Sequence, residues 1–253
     1  MRLKDKTLLV TGATTGIGFA AAQHFLEEGA TAVIITGQDE GRLIDAERAL
    51  AARGLGKVTA IRWRAEDTED SKALFDAVSG THGHLDVVFA NAGVTWPATF
   101  GQIDAIEAQR QFMVNVTGPL ILLQTLAPLM RSGGSLILTT SCLDVLGMPG
   151  MAVYSASKAA LRSLARTLSV ELKERGVRVN SIAPGPVETP IYEKLGMSPE
   201  ALKEMADGMR KIVPAGRFGT AEEIAGVAAF LASDASRYLM AEEINVDGGW
   251  ANI

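Results

Sequence analysis

The stretch Thr7-Leu8-Leu9-Val10-Thr11-Gly12-Ala13-Thr14-Thr15-Gly16-Ile17-Gly18 decides the fold. Thr7–Val10 reads as a short buried strand. A helix follows over 17–28, with Ile17, Ala21, Phe25 and Leu26 on one side and Gly29 as its stop. Between them lies a turn rich in glycine. Such a turn at a helix N-terminus presents backbone N–H groups and the positive end of the helix dipole, which suits a pyrophosphate. Side chains at Gly12 and Gly16 would hold that ligand off, and Gly18 lets the helix pack close to the strand. The spacing is G-x-x-x-G-x-G rather than G-x-G-x-x-G, so a purely structural turn is the competing reading. Its place after the first strand of an alternating chain favours the phosphate reading.

Outward from this turn, strand-like and helix-like segments alternate. Further strands are predicted at 31–36, 58–62, 85–90, 135–140, 178–182 and 244–246. Helices are predicted at 40–52, 68–79, 103–129, 151–175 and 221–233, with a bend at Gly118-Pro119 in the third of these. Continuous apolar strands separated by helices are the pattern of a parallel sheet covered on both faces. The expectation is an α/β chain with one doubly wound domain over residues 1–253, its parallel sheet of about seven strands flanked by helices on both faces. The least regular stretch, 185–219, carries Pro186, Pro190, Pro199 and Pro214. It is long for a connection and is read as a substrate lid within that domain.

The chain has 253 residues, 47% of them hydrophobic and 21% charged, which excludes a disordered chain or a disulfide scaffold. Lys plus Arg is 24 and Asp plus Glu is 29, a net charge of −5, which argues against nucleic acid as the partner. Cys142 is the sole cysteine, so no intrachain disulfide forms, as suits a reducing cytosol. The N-terminus is charged, and Leu8-Leu9-Val10 is too short for a signal-peptide core. No run of about 20 apolar residues is evident to span a bilayer. A cytoplasmic protein without membrane attachment is expected.

Tyr154 and Lys158 are four apart where the helix after the fifth strand opens, so they share a face. A nearby ammonium favours the phenolate and lowers a tyrosine pKa from about 10. Tyr154 then serves as general acid or base. Ser141 ends the fifth strand, at the carboxyl edge where open α/β sheets bind ligands, and its hydroxyl can hold a substrate oxygen against Tyr154. An isolated Tyr-x-x-x-Lys pair is usually a plain surface contact, so the setting carries the reading. Cys142 reads as a small buried apolar residue rather than a reactive thiol. His82 and His84 lack a third ligand at suitable spacing, so no metal is expected, and His24 reads as a surface or packing residue.

With these markers in order, the chain resembles a short-chain dehydrogenase/reductase over essentially its whole length. The markers are residues 11–18, Asn91-Ala92-Gly93, Asn115, Ser141, Tyr154 with Lys158, Pro184-Gly185, and Asn245-Val246-Asp247-Gly248-Gly249. Residues 89–93 and 162–167 are similar to bacterial alcohol dehydrogenases and ketone reductases of this family. The resemblance implies a Rossmann-type fold and a nicotinamide cofactor. It implies Asn115, Ser141, Tyr154 and Lys158 as the catalytic set. Tyr154 would exchange the proton of the substrate oxygen, Lys158 would bind the nicotinamide ribose, Ser141 would polarise the carbonyl and Asn115 would hold a water leading to Lys158. Cofactor contacts are implied for Gly12, Thr14, Thr15, Gly16, Ile17 and Gly18 in the turn, and for Gly37, Gln38 and Ala65 toward the adenosine. They are further implied for Asn91, Ala92, Gly93, Tyr154, Lys158, Pro184, Gly185, Val187 and Thr189 toward the nicotinamide. Residues 245–250 resemble the tail that packs near a two-fold interface in family tetramers, so a homotetramer is expected, with a dimer as fallback.

The chain departs from the family pattern at the residues that select the cofactor and at the adenine site. In Thr36-Gly37-Gln38-Asp39, Gly37 replaces the Asp of NAD-type members, and Gln38 and Thr15 replace basic residues of NADP-type members. Asp39 and Glu40 would repel a 2′-phosphate if they faced it, while Gly37 leaves room and Gln38 can donate, a slight lean to NADP over NAD. Arg64 stands where an Asp commonly binds adenine; a slip of register would put Glu66 or Asp67 there, or Arg64 stacks on the base.

The leading function is hydride transfer between NAD(P)(H) and a carbonyl or secondary alcohol of a mainly hydrophobic small molecule. A 3-oxoacyl-carrier-protein reductase is the rival within the class, and a cofactor-binding sensor the rival outside it. Ser141 and Tyr154 would meet the substrate, with Leu143, Leu146, Ile191 and Tyr192 as apolar lining. Val145, Met148, Pro149 and Leu195 extend that list.

Overall fold

The computed structural model describes residues 1–190 and 198–252. Ile191, Tyr192 and Leu195 lie outside the described residues. Strand β1, Thr7–Val10, is buried along its whole length. Because strand side chains alternate between faces, Leu8 and Val10 enter one core and Leu9 the other. The same split recurs in β2 (Ala32–Gly37), where Val33 and Ile35 face one way and Ile34 the other. This two-sided burial explains why the strands read as unbroken apolar runs.

The remaining strands are β3 (Lys57–Arg62), β4 (Leu85–Ala90), β5 (Met130–Thr139), β6 (Arg178–Pro184) and β7 (Glu243–Val246). They form one seven-stranded sheet in the order β3-β2-β1-β4-β5-β6-β7, and every pairing is parallel. The order reverses between β1 and β4, and the cleft opens at the carboxyl ends of those strands.

Helix α1 (Gly16–Glu27) packs on one face beside α8 (Ala221–Ala232), and Phe25 of α1 meets Phe89 of β4 edge to face at 6.4 Å. Helix α2 (Glu40–Ala51) adds Leu43, Ala46 and Leu50 to this core. On the other face lie α3 (Thr68–Thr81), α5 (Gly118–Leu126) and α6 (Ala152–Glu171), around Leu74, Leu122, Leu126 and Ala165.

The predicted helix over 103–129 is divided. Helix α4 (Ala105–Phe112) runs into a π-helical turn, Met113–Thr117, before α5 begins at Gly118. The break therefore precedes Gly118-Pro119. Gly118 serves close packing instead, since a Cβ there would strike the carbonyl oxygen of Ala65. By length and composition Ala105–Leu129 is apolar enough to cross a membrane, a correction to the sequence expectation. It forms a core helix run: Asn115, Leu122 and Leu126 are fully buried within the protein.

Helix α7 (Pro199–Ile212) stands in the stretch expected to be irregular. Ser198 caps it by accepting a hydrogen bond from Ala201 N at 3.2 Å, and Pro199 sits in its first turn, where its missing N–H costs nothing.

Phe25 is fully buried against Phe89. Phe25→Ala is expected to lower unfolding free energy by about 3–5 kcal/mol, read by chemical denaturation. A loss under about 1 kcal/mol would contradict this packing.

Candidate active site

The site begins with a lock between β1 and β4. Thr11 Oγ1 accepts hydrogen bonds from Asn91 N at 3.0 Å and Ala92 N at 2.9 Å, and Asn91 Nδ2 donates to Thr11 O at 3.1 Å. The two strand ends are thereby held beside each other. Gly12 takes φ +64°, and a Cβ there would lie 2.9 Å from Ala92 Cα. The chain can turn there only as glycine. A Cβ on Gly18 would strike Gly12 O, so Gly18 packs the helix against the turn and does not line the cleft.

Helix α1 starts without a side-chain cap on Thr15 and without an acidic residue in its first turn. Its orphan N–H groups therefore remain for a ligand. Thr14, Thr15, Gly16 and Ile17 line the cleft beside them. These features fit a dinucleotide pyrophosphate.

Toward the adenosine end, Gly37, Gln38, Arg64 and Ala65 line the cleft. Neither Asp39 nor Glu40 does. Asp39 caps α2 by accepting from Arg42 N at 2.8 Å, and Glu40 lies 3.7 Å from Arg62. The register slip that would bring Glu66 or Asp67 to the base is not observed. Glu66 accepts from Arg110, and Asp67 caps α3 by accepting from Glu69 N at 3.0 Å. Arg64 is held by Asp67 and Asp70, which raise its pKa further.

At the far end Asn91, Ala92, Gly93, Tyr154, Lys158, Pro184, Gly185, Val187 and Thr189 line the same cleft. Lys158 is buried, and its Nζ donates to Thr139 O at 2.8 Å. It also sits over the Tyr154 ring, 5.7 Å from the centroid. Ser141 caps a short 3₁₀ turn, Cys142–Asp144, its Oγ accepting from Leu143 N at 3.2 Å. Strand β5 stops at Thr139, two residues before Ser141.

The expected lowering of the Tyr154 pKa is corrected. Burial pushes it up to about 12, although the Ser141 hydroxyl works the other way. Burial also lowers Lys158 to about 8. Desolvation disfavours both charges, and Lys158 spends its proton on Thr139 O rather than on the phenol. Tyr154 is thus a protonated phenol at neutral pH, the form a general acid needs.

Asn115 stands in the π turn, completely buried and behind the cleft wall. Its Oδ1 accepts from Val94 N at 2.8 Å, and its Nδ2 donates to Val94 O at 2.9 Å and Ser157 Oγ at 3.0 Å. Ser157 in turn donates to Tyr154 O at 2.6 Å. Asn115 ties the loop after β4 to the helix that carries Tyr154.

Among the expected apolar residues, Leu143 and Met148 line the cleft; Val145, Leu146 and Pro149 do not. The backbone of Leu146 folds back to donate to Cys142 O, and Val145 is exposed. Lining residues that sequence reasoning missed include Val94, Met151, Met205, Met209 and Trp250. Met205 and Met209 are four apart on α7, a spacing visible once Ser198-Pro199 is read as a helix start. The cleft encloses about 350 Å³. Cys142 lines it, with its thiol pushed up to about 12 mainly by burial, so it stays protonated. No group of metal-ligating side chains occurs among the described residues.

Comparison with known proteins agrees with this geometry. A family model described as enoyl-(acyl carrier protein) reductase matches residues 12–251. Oxidoreductase asL5 of Sarocladium schorii is 40% identical, with 100% of this chain and 98% of that protein covered. The 3-oxoacyl-[acyl-carrier-protein] reductase of Thermotoga maritima is 37% identical over 98% of this chain and 99% of its own. The solved L-sorbose reductase of Gluconobacter frateurii, complexed with NADPH and L-sorbose, superposes with a TM-score of 0.91 at 28% identity, covering 100% of this chain and 99% of that one. The chain belongs to the short-chain dehydrogenase/reductase family: it is an oxidoreductase of Rossmann fold that uses NAD(P) on CH–OH and C=O groups.

Proposed function

We propose that this enzyme reduces, and in reverse oxidises, a mainly hydrophobic small molecule at a ketone or secondary alcohol. The observation that carries this reading is the lining of the cleft. Its only charged residues among those described are Arg64, at the adenosine end, and Lys158. Leu143, Met148, Met151, Met205, Met209 and Trp250 line the same cleft. Thioethers fill irregular space and adapt to several apolar shapes. Such a wall leaves the hydroxyls of a polyol without partners, which costs binding.

The bound nicotinamide supplies the hydride. Tyr154 protonates the substrate oxygen in reduction and takes the proton back in oxidation. Ser141 donates to that oxygen and holds it near the phenol. Lys158 binds the nicotinamide ribose hydroxyls through its ammonium. Asn115 acts as a positioning residue through Val94 and Ser157. The glycine turn, from Gly12 to Ile17, holds the pyrophosphate. Residues 185–219 form the substrate segment, in which α7 contributes its methionines. NADP is favoured over NAD, because among the described residues no carboxylate lines the ribose end, and Gln38 offers amide donors there. A carrier-protein thioester is the second reading, supported by the Thermotoga relative. A carrier-bound substrate turned over far faster than its free thioester would favour it.

The test is oxidation of NADPH and of NADH with apolar cyclic ketones and with ketoses. Apolar ketones are expected to be the better substrates. Tyr154→Phe is expected to lower kcat by at least about 100-fold while leaving cofactor affinity within a few-fold. Wild-type turnover retained in this variant would contradict the assignment.

Lys158 carries its charge below about 8. Reductive kcat/KM is therefore expected to fall as pH rises through that value, while Tyr154 stays protonated. A profile flat from pH 7 to beyond 9 would contradict a role for the ammonium.

We also propose a homotetramer. Strand β7 ends the sheet as an edge, with Tyr238 and Met240 exposed just before it. Light scattering at micromolar concentration is expected to give the tetramer mass, and a monomer would contradict it.

A further inference from the structure

Beside the catalytic serine lies a carboxylic acid that the chemistry above does not use. The side chain of Asp144 is only 1% exposed, and neither carboxylate oxygen has a hydrogen-bond donor among the described residues. An ionised carboxylate buried without donors is strongly disfavoured. The cation at hand is already engaged: Arg162 Nε lies 2.9 Å from Glu243 Oε2 and 3.9 Å from Asp144 Oδ2. Glu243 is itself 9% exposed and also accepts from Thr140 Oγ1 at 2.6 Å. Two carboxylates therefore crowd one guanidinium that bonds to one of them.

We propose that Asp144 and Glu243 share one proton, with Asp144 as the acid that donates to Glu243, and that this pair positions Ser141. As two carboxylates neither has a hydrogen to give; with one proton between them, one of the orphaned Asp144 oxygens acquires a partner in Glu243. The groups facing Asp144 are Glu243 from β7, Arg162 and Arg166 from α6, and Cys142 in its own turn. Burial and the charge of Glu243 raise the Asp144 pKa to about 7, against the opposing pull of both arginines.

The pair grips the serine from both sides in sequence. Thr140, the residue before Ser141, is held by Glu243. Asp144 itself donates its backbone N–H to Ser141 O at 2.9 Å. The edge strand β7 is thus fastened to the turn that aims the Ser141 hydroxyl. Losing the proton places two negative charges side by side beneath that turn.

The role given to Ser141 rests on the function proposed above; the shared proton does not, and it is read without turnover. A folded-state pKa above the ordinary 3.8 means that the folded protein holds more protons than the unfolded chain between those values. Stability from this group is present at low pH and is lost as pH rises toward about 7. Asp144→Asn removes that loss while keeping a donor for Glu243.

Thermal melts of wild type and D144N from pH 5 to 8.5 test this. The Tm of the variant minus that of wild type is expected to rise across the range by at least about 4 °C. A difference that stays constant or falls overturns the shared proton, because an ordinary ion-paired aspartate is ionised in both states above pH 5 and leaves the difference flat. If D144N does not fold, E243Q gives the same reading. It removes the neighbouring charge and should flatten the wild-type decline in Tm between pH 5 and 7. An unchanged decline overturns the proposal. For positioning, Asp144→Ala should lower kcat by at least about fivefold with cofactor Kd unchanged. An unchanged kcat overturns that role.

Discussion

The hydrogen bonds between Thr11 and the Asn91-Ala92 backbone set the distance between the ends of β1 and β4. The glycine turn and the residues that follow β4 then share one wall of the cleft. Gly12 can approach Ala92 only because it lacks a Cβ, and Gly18 brings α1 onto the same point. If the gap widened, the helix N-terminus would no longer aim its free N–H groups at a ligand that also reaches Tyr154. The strand order reverses at this place, so the crevice follows from topology and the hydrogen bonds fix its width.

A second constraint is electrostatic. The inner end of the cleft brings together buried Lys158, half-buried Tyr154 and the turn of Ser141. Burial moves the lysine down and the tyrosine up, so the resting site holds a protonated phenol beside a lysine that loses its charge within reach of physiological pH. Polar support comes from behind: Asn115 and Ser157 link the loop after β4 to α6, and Thr139 O receives the ammonium. Apolar side chains from α7 and the C-terminal turn face this polar floor.

Much of this was legible in the sequence, for physical reasons. Buried parallel strands leave unbroken apolar runs, and helices leave a period near 3.6 residues, so the alternation and the glycine turn identify the fold. The residues expected around the pyrophosphate and the nicotinamide do line one cleft, except Gly18, which packs, and Asn115, which stands behind the wall. Spacing placed Tyr154 beside Lys158 but carried no information on desolvation, and the direction of the tyrosine shift came out reversed. Prolines masked α7, although Ser198-Pro199-Glu200 is a helix start. The onset of β5 at Met130 was hidden by Gly133 and Gly134, which interrupt the apolar run. Sequence reasoning left the adenine end open between Arg64 and a slip to Glu66 or Asp67; Arg64 lines the cleft, and its tie to Asp70 depends on a turn that no local pattern specifies.

The central claim is that one cleft delivers hydride from the nicotinamide to a carbonyl carbon whose oxygen meets Tyr154. The most direct measurement is reduction of an apolar cyclic ketone with NADPH deuterated at the transferring position, followed by mass spectrometry of the alcohol. The account predicts one deuterium on the carbinol carbon and, in deuterated water with unlabelled NADPH, none there. Carbon-bound label arising from solvent instead of cofactor would contradict it.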